Sequence, residues 1–289
     1  MEQMNARKLT DKEFRAFCQL LNDEEGKTLH RLTLEFKSLI REEPKWKEWI
    51  ATQDFISANH RAAQALEEMR WDEIGERLKD LVEREGRTFN LGTALTLLAS
   101  FPNGLMKKDE ITELLDRMAA ELNGALSLAQ DTDMLIKIFC QYLFQTQGFH
   151  GNFSNYYDPD NTYLNKVLER KIGIPISLSC LCLLLAERLH WRGQPVPLVG
   201  IGLPSHFIVQ FRFYEKSIYM DPFNHGKLLT RRDCIDLLHN QEIGFKESYL
   251  TPVNNLTILS RSISNLVYVY NDLGNEKLRD QLLKYLSLL

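Results

Sequence analysis

The sequence predicts an α+β fold: a helical N-terminal region, a core in which one apolar helix packs on a small antiparallel sheet, and a helical C-terminal hairpin. Three observations predict it. Apolar residues recur at helical spacing up to about residue 146 and again beyond Thr230. Between Val196 and Asp221 the period falls to two. Between them, Ile176–Ala186 is apolar all round, as a helix buried on every side must be.

In chain order, Phe14, Phe17, Cys18 and Leu21, then Leu29, Leu32, Phe36, Leu39 and Ile40, fall at helical spacing, and Pro44 breaks the run. Helices follow at Ala58–Glu68 and Trp71–Val82, the second with Ile74, Leu78 and Leu81 on one face. More are expected at Leu91–Ala99, Lys108–Leu122 and Asp131–Phe144, separated by Gly86, Pro102-Asn-Gly104 and Asn123-Gly124. Helices joined by short links suggest a bundle or an irregular stack of hairpins. No fixed-period consensus marks a named repeat. Support or partner binding is the expected work of residues 1–130.

The texture changes after Gly148. Asn152–Asn161, rich in Asn, Tyr and Asp-Pro, reads as an ordered loop. A helix is expected over Thr162–Lys171, a break at Gly173-Ile-Pro175, then the apolar helix from Ser177 to about Trp191. Strands are predicted at Val196–Gly202, His206–Phe213 and Ser217–Asp221, with Tyr214-Glu-Lys216 as the hairpin connection. Phe207, Val209, Phe211 and Phe213 share one face of the middle strand; His206, Ile208, Gln210 and Arg212 share the other. Residues 131–230 are thus expected to form the core. In the tail, 231–289, helices read at Arg231–Leu238, Leu256–Leu273 and Asn275–Leu288, with Gly274 between the last two. That last pair resembles one tetratricopeptide-type unit. A single unit cannot bury its own face, so docking on the preceding domain is expected.

Composition narrows the function. Basic and acidic residues number 35 and 39, a net charge of −4, with no clustered basic face for nucleic acid. The start, Met1-Glu-Gln-Met-Asn, has no apolar segment of a signal peptide. The densest apolar stretch is far short of the roughly 20 residues a membrane helix needs. Five scattered cysteines fit reduced thiols better than a disulfide frame. A cytoplasmic protein with no membrane partner is the expectation. No cofactor or metal is implied: Gly200-Ile-Gly202 lacks the third glycine and the following helix of a phosphate cradle, and no HExxH or paired CxxC occurs. Cys180 and Cys182, two apart on a helix, point to opposite sides and cannot share an ion.

One constellation suggests chemistry. An antiparallel hairpin turning near residue 214 brings His206 and Asp221 to the same end of the sheet. The carboxylate would fix the imidazole tautomer and stabilise its charged form. The other ring nitrogen would face the start of the Ser177 helix, where the helix dipole and an imidazolium would stabilise a thiolate.

The residues around this pair carry a family resemblance. Tyr156-Tyr157-Asp158-Pro159, Asn161-Thr-Tyr-Leu164-Asn165-Lys-Val167-Leu168-Glu-Arg170 and Gly173-Ile-Pro175-Ile-Ser177-Leu-Ser179 form one part of it. Leu185-Ala186-Glu-Arg188-Leu189, Gly200-Ile-Gly202-Leu-Pro204-Ser-His206-Phe207 and Asp221-Pro222-Phe223 form the other. Together they resemble bacterial SirB-type proteins of the transglutaminase-like superfamily, and a segment of certain eukaryotic F-box proteins. The resemblance implies a Cys-His-Asp site, with His206 in the general-base place, Asp221 in the orienting place and a nucleophile within Pro175–Ser177. None of those three residues is a thiol.

Cys180 and Cys182 lie inside the apolar helix, where core packing is the expected role. Ser177 is expected to cap the helix; as an alternative it is the nucleophile, with Asn152 or a backbone amide at the helix start stabilising the oxyanion. Asn152, Tyr156 and Asn161 are the candidate binding residues. His150 and His225 read as surface loop residues. The leading function is a non-catalytic transglutaminase-like protein that binds a protein or peptide. The alternative is a hydrolase or acyltransferase acting on amides or thioesters, with Ser177 attacking, His206 as base and Asp221 orienting. A third reading is a scaffold whose helical arrays do the binding. Oligomeric state is not legible.

Overall fold

A computed structural model describes residues 9–43, 45–46, 59–103, 108–214 and 217–289. The expected breaks at Pro44 and Gly104, and the Glu215-Lys216 part of the hairpin connection, lie outside the described residues. The chain divides into two compact units, Met1–Glu73 and Ile74–Leu289, with the division falling inside one helix.

The first unit holds α1 (Asp11–Asp23), α2 (Gly26–Glu42) and the start of α3 (His60–Glu85). Thr10 caps α1: its hydroxyl accepts from the Glu13 amide while the Glu13 carboxylate reaches back to the Thr10 amide at 2.8 Å. The predicted apolar face is buried, with Phe14 stacked on Trp46 at 4.2 Å between centroids. Arg61 donates to the carbonyls of Leu21 and Glu24, satisfying the end of α1 with a cation, as the helix dipole favours. One helix, α3, replaces the two predicted at Ala58–Glu68 and Trp71–Val82. No proline or glycine stands between those stretches to break it.

The second unit continues with α4 (Leu91–Asn103), α5 (Lys108–Leu126) and α6 (Thr132–Cys140), which Asp131 caps. Helix α5 runs through Asn123-Gly124, expected to be a break. The Asn123 side chain stabilises this stretch by donating to Arg188 O and accepting from His190 N. Helix α6 passes into a π-helical turn, Gln141–Thr146. Strand β1 (His150–Gly151) then pairs in parallel with β2 (Ile172–Gly173), the two bracketing α7 (Leu164–Arg170).

Helix α8 spans Pro175–Ala186, and every one of its 12 residues is buried. It starts two residues earlier than predicted, with Pro175 where the missing N–H costs nothing. It also stops well before Trp191. The residues beyond form a hairpin that the sequence reading did not separate, β3 (His190–Trp191) against β4 (Gln194–Pro195), turning at Gly193 with φ +77°.

The main sheet is antiparallel in the order β5-β6-β7-β8: β5 (Leu198–Ile201), β6 (Ile208–Arg212), β7 (Ser217–Asp221) and β8 (Lys227–Leu229). Strand β8 adds to the three predicted. Phe207, Val209 and Phe211 join α8 in the large core. The opposite face is also covered: Ile208 and Tyr219 pack with Cys234 and Leu238 of α9 (Arg231–His239). This two-sided burial departs from the half-solvated pattern that alternation suggests. The final hairpin, α10 (Asn255–Asp272) and α11 (Glu276–Leu288), packs α10 on α8 and α4. The C-terminal pair therefore docks, as a lone unit must. Among the described residues no helix is long and apolar enough to cross a membrane.

Candidate functional site

The β6–β7 register, Val209 opposite Met220, carries the chain ahead of Ile208 back beside Asp221, the last residue of β7. His206 Nε2 lies 2.8 Å from Asp221 Oδ2. The two expected site residues therefore meet. Asp221 is almost wholly buried and its carboxylate takes three further donors. Oδ1 accepts from the amides of Phe223 (3.1 Å) and Asn224 (3.3 Å), and Oδ2 from Asn224 Nδ2 (2.7 Å). Burial alone would raise its pKa. The hydrogen bond and charge of His206, with the Asn224 bonds, reverse that and hold the carboxyl below its ordinary value. With Nε2 engaged, Nδ1 is the ring nitrogen left for chemistry or binding. The His206 side chain is 14% exposed and meets Phe223 edge-on, at 6.4 Å and 83°.

The backbone of His206 is fixed from an unexpected direction. The turn before it places Ser205 at φ +58°. From α10, Arg261 crosses to this turn and donates to Leu203 O (3.0 Å) and His206 O (2.9 Å), its guanidinium over the Phe207 ring. Gly202 leaves room for it, since a Cβ there would stand 3.0 Å from Arg261 Nη1. Burial lowers the Arg261 pKa from its ordinary value. No sequence signal points to Arg261, because only the docking of α10 brings it here.

At the start of α8, Ser177 is the third helical residue and is buried. Its Oγ donates to Asn161 O at 2.5 Å, accepts from the Ile174 amide at 3.0 Å and lies 3.1 Å from Ile174 O. Ser177 is not the N-cap, a place taken by Ile174; from the third helical position it reaches back to the Ile174 amide, whereas the expected cap accepts from amides ahead. Gly173 makes this possible: a Cβ there would come within 2.7 Å of Ser177 Oγ. Among the described residues no hydrogen bond joins Ser177 to His206. Asn152 and Asn161 face inward as well. Asn152 Nδ2 donates to Asn161 Oδ1 (3.0 Å), and Asn161 Nδ2 to the carbonyls of Asn155 (2.7 Å) and Tyr156 (3.1 Å). These bonds tie the loop to itself and use both hydrogens of Asn161 Nδ2 and one of Asn152 Nδ2. Of the three candidate binding residues, Tyr156 alone stands in the aromatic rim of the site, between Phe223 and Tyr157.

Cys180 and Cys182 are buried, and burial pushes the Cys180 thiol up to about 12 and Cys182 well up. They are core residues, as expected. His150 and His225 are not isolated: their rings stack at 6.0 Å, and His150 Nδ1 contacts Gly151 O at 3.0 Å. A cleft of about 170 Å³ lies at the far end of α8, lined by Leu183, Ala186, Val196, Gly200, Val253 and Ile258. Neither His206 nor Asp221 lines it. Among the described residues, no cluster of three or more His, Cys, Asp or Glu side chains is placed to hold a metal ion.

The segment that holds the histidine–aspartate pair and the buried helix has relatives among known sequences. The profile of the Transglutaminase-like superfamily matches residues 109–264. The chain belongs to this superfamily. Its relatives include the UPF0162 protein of Xylella fastidiosa (strain 9a5c), 38% identical over 136 residues, which are 45% of this chain and 47% of that one. The UPF0162 protein of Vibrio cholerae is 31% identical over 53% of this chain and 56% of its own. Human F-box only protein 21 is 33% identical over 50% of this chain and 24% of its own. The chain thus spans about half the length of these bacterial relatives and a quarter of the human one. No solved structure matches it significantly.

Proposed function

We propose that this transglutaminase-like chain binds a protein or peptide and does not catalyse acyl transfer. One observation carries the reading. The hydroxyl nearest the place of the nucleophile, Ser177 Oγ, is buried and held by Asn161 O and the Ile174 amide, with Pro175 and Ile176 before it. A nucleophile needs a base within hydrogen-bond reach, and Ser177 is tied to its own helix start. In this reading the His206–Asp221 pair orders the sheet end and the rim around it. Residues 131–230 are the recognition core, 1–130 its support and 231–289 a buttress through Arg261. A place among SirB-type proteins and a cytoplasmic setting belong to the same proposal. The free state of all five cysteines supports the setting. Relatives named as F-box proteins, in which this region is part of a longer chain, support a recognition module.

The alternative, serine-dependent hydrolysis or acyl transfer, is favoured by one feature: among the described residues no hydrogen bond engages His206 Nδ1, while Asp221 orients the ring. Turnover separates the two. The full chain, incubated with a glutamine-bearing peptide and with an aryl thioester, is expected to release ammonia or thiol no faster than buffer does, with His206→Ala indistinguishable. Wild-type turnover lost in His206→Ala overturns the binding reading.

A further inference from the structure

Beside His206 the structure presents a run of aromatic rings, buried at its middle in Phe223 and exposed at both ends. Phe153 leans on Phe223 (4.5 Å), Phe223 on Tyr156 (5.9 Å), Tyr156 on Tyr157 (5.3 Å) and Tyr157 on Tyr268 (5.3 Å, 40° between planes). Phe153 is 62% exposed, Tyr157 50% and Tyr268 56%. Three separate segments supply the rings: the 152–161 loop, the turn after β7 and α10. An exposed cluster of large rings from distant segments is more than the scattered apolar residues of an ordinary surface.

At the Tyr157–Tyr268 end of the run stands a negative charge. Asp272 stands one turn beyond Tyr268 on the same face of α10. Its negative potential, behind the larger effect of Tyr157, helps push the Tyr268 hydroxyl pKa up. Asp158 and Asp160, one and three residues after Tyr157, are already paired with Arg170 at 2.8 and 3.6 Å, which leaves Asp272 as the carboxylate offered to a partner. The cations nearby are occupied. Arg261 is turned inward on the carbonyls of Leu203 and His206, where its charge acts on Tyr156, and Arg170 is taken up by the Asp158 and Asp160 pairs. Aromatic faces carry negative potential of their own and attract ammonium and guanidinium groups. Exposed rings at the two ends of the run suit an extended segment, which presents side chains along its length.

Resting on the binding reading above, we infer that the Phe153–Tyr268 ring surface takes an extended basic segment of a partner protein, with an arginine or lysine over the Tyr157–Tyr268 pair near Asp272. The probe is a fluorescein-labelled peptide of alternating arginine and proline, with glutamate–proline and glutamine–proline peptides as comparisons, titrated with the full chain and read by anisotropy. The arginine peptide is expected to bind, more weakly as salt rises, and the glutamate peptide not to bind. Tyr268→Ala and Asp272→Asn, both exposed, are expected to weaken it by about fivefold or more, with unchanged thermal melting. Equal binding of all three peptides, no binding of any, or full affinity in both variants overturns the inference. If the glutamine peptide binds best and Tyr157→Ala abolishes it, the basic partner is wrong while the binding reading stands. If sedimentation shows a dimer that Tyr157→Ala dissociates, the occupant is a second copy, and the inference fails on that ground. Turnover of the glutamine-bearing peptide tested above would remove the binding reading itself, whatever the peptide affinities.

Discussion

Replacing Ser177 by alanine separates a structural hydroxyl from a chemical one. The substitution removes the acceptor for the Ile174 amide and the donor to Asn161 O, both in the buried first turn of α8. Leaving a buried backbone group without a partner costs about 1–3 kcal/mol. The loss is partly cushioned, because the Ile174 amide also lies 3.4 Å from Asn161 O and can settle on it. The expected loss is therefore about 2 kcal/mol, which in a unit the size of Ile74–Leu289 lowers the melting temperature by about 4–8 °C. Urea denaturation followed by far-ultraviolet circular dichroism gives the free energy, and calorimetry the temperature. If Ser177→Ala were as stable as wild type or more so, the hydroxyl would not be holding the helix start. That outcome would fit a strained catalytic group instead.

Other consequences follow from the same geometry. Asp221→Asn should cost about 3–5 kcal/mol at pH 7, because it removes the charge that four donors surround, and urea titration measures it. Since folding depresses the Asp221 pKa, the stabilisation is complete above the unfolded carboxyl's pKa and is lost as pH falls from there through the folded value. The gap between wild type and Asp221→Asn should shrink as pH falls below about 4; a gap that goes on widening below that pH contradicts this. Cys140 and Cys180, with thiols pushed up to about 12, and Cys182, well above its ordinary value, should not react with a disulfide reagent at pH 8 until the protein is unfolded. Rapid labelling of either α8 cysteine in the native state would refute that. Gly151→Ala places a Cβ 2.6 Å from Phe223 O and 2.5 Å from its ring, so it should displace the ring beside His206 and destabilise the fold by about 1–3 kcal/mol. Unchanged His206 and Phe223 nuclear magnetic resonance shifts in that variant would show that the turn has slack.

The core of the site was readable because it depends on local pattern. The period-two stretch over 206–213, the return strand ending at Asp221 and the apolar helix before them fix where the imidazole and carboxylate meet. Boundaries that rest on single residues were less legible. Asn123-Gly124 looks like a break, yet tertiary bonds to Arg188 and His190 keep α5 helical through it. Ser177 was legible as a residue of the helix start, but its place as third residue rather than N-cap follows from Pro175 opening the helix, and its bond from Asn161 O arriving from a loop 16 residues earlier. Arg261 and Tyr268 were invisible for a similar reason. Each is an ordinary helix-surface letter until α10 docks and turns it toward the turn before His206 or the 152–161 loop.

The central claim is that the start of α8 offers His206 no reactive group. Intact-mass spectrometry after exposure to serine-directed fluorophosphonate and thiol-directed iodoacetamide tests it most directly. An unmodified native chain is the predicted result. One adduct per chain, mapped to Ser177 and absent from both Ser177→Ala and His206→Ala, would contradict it.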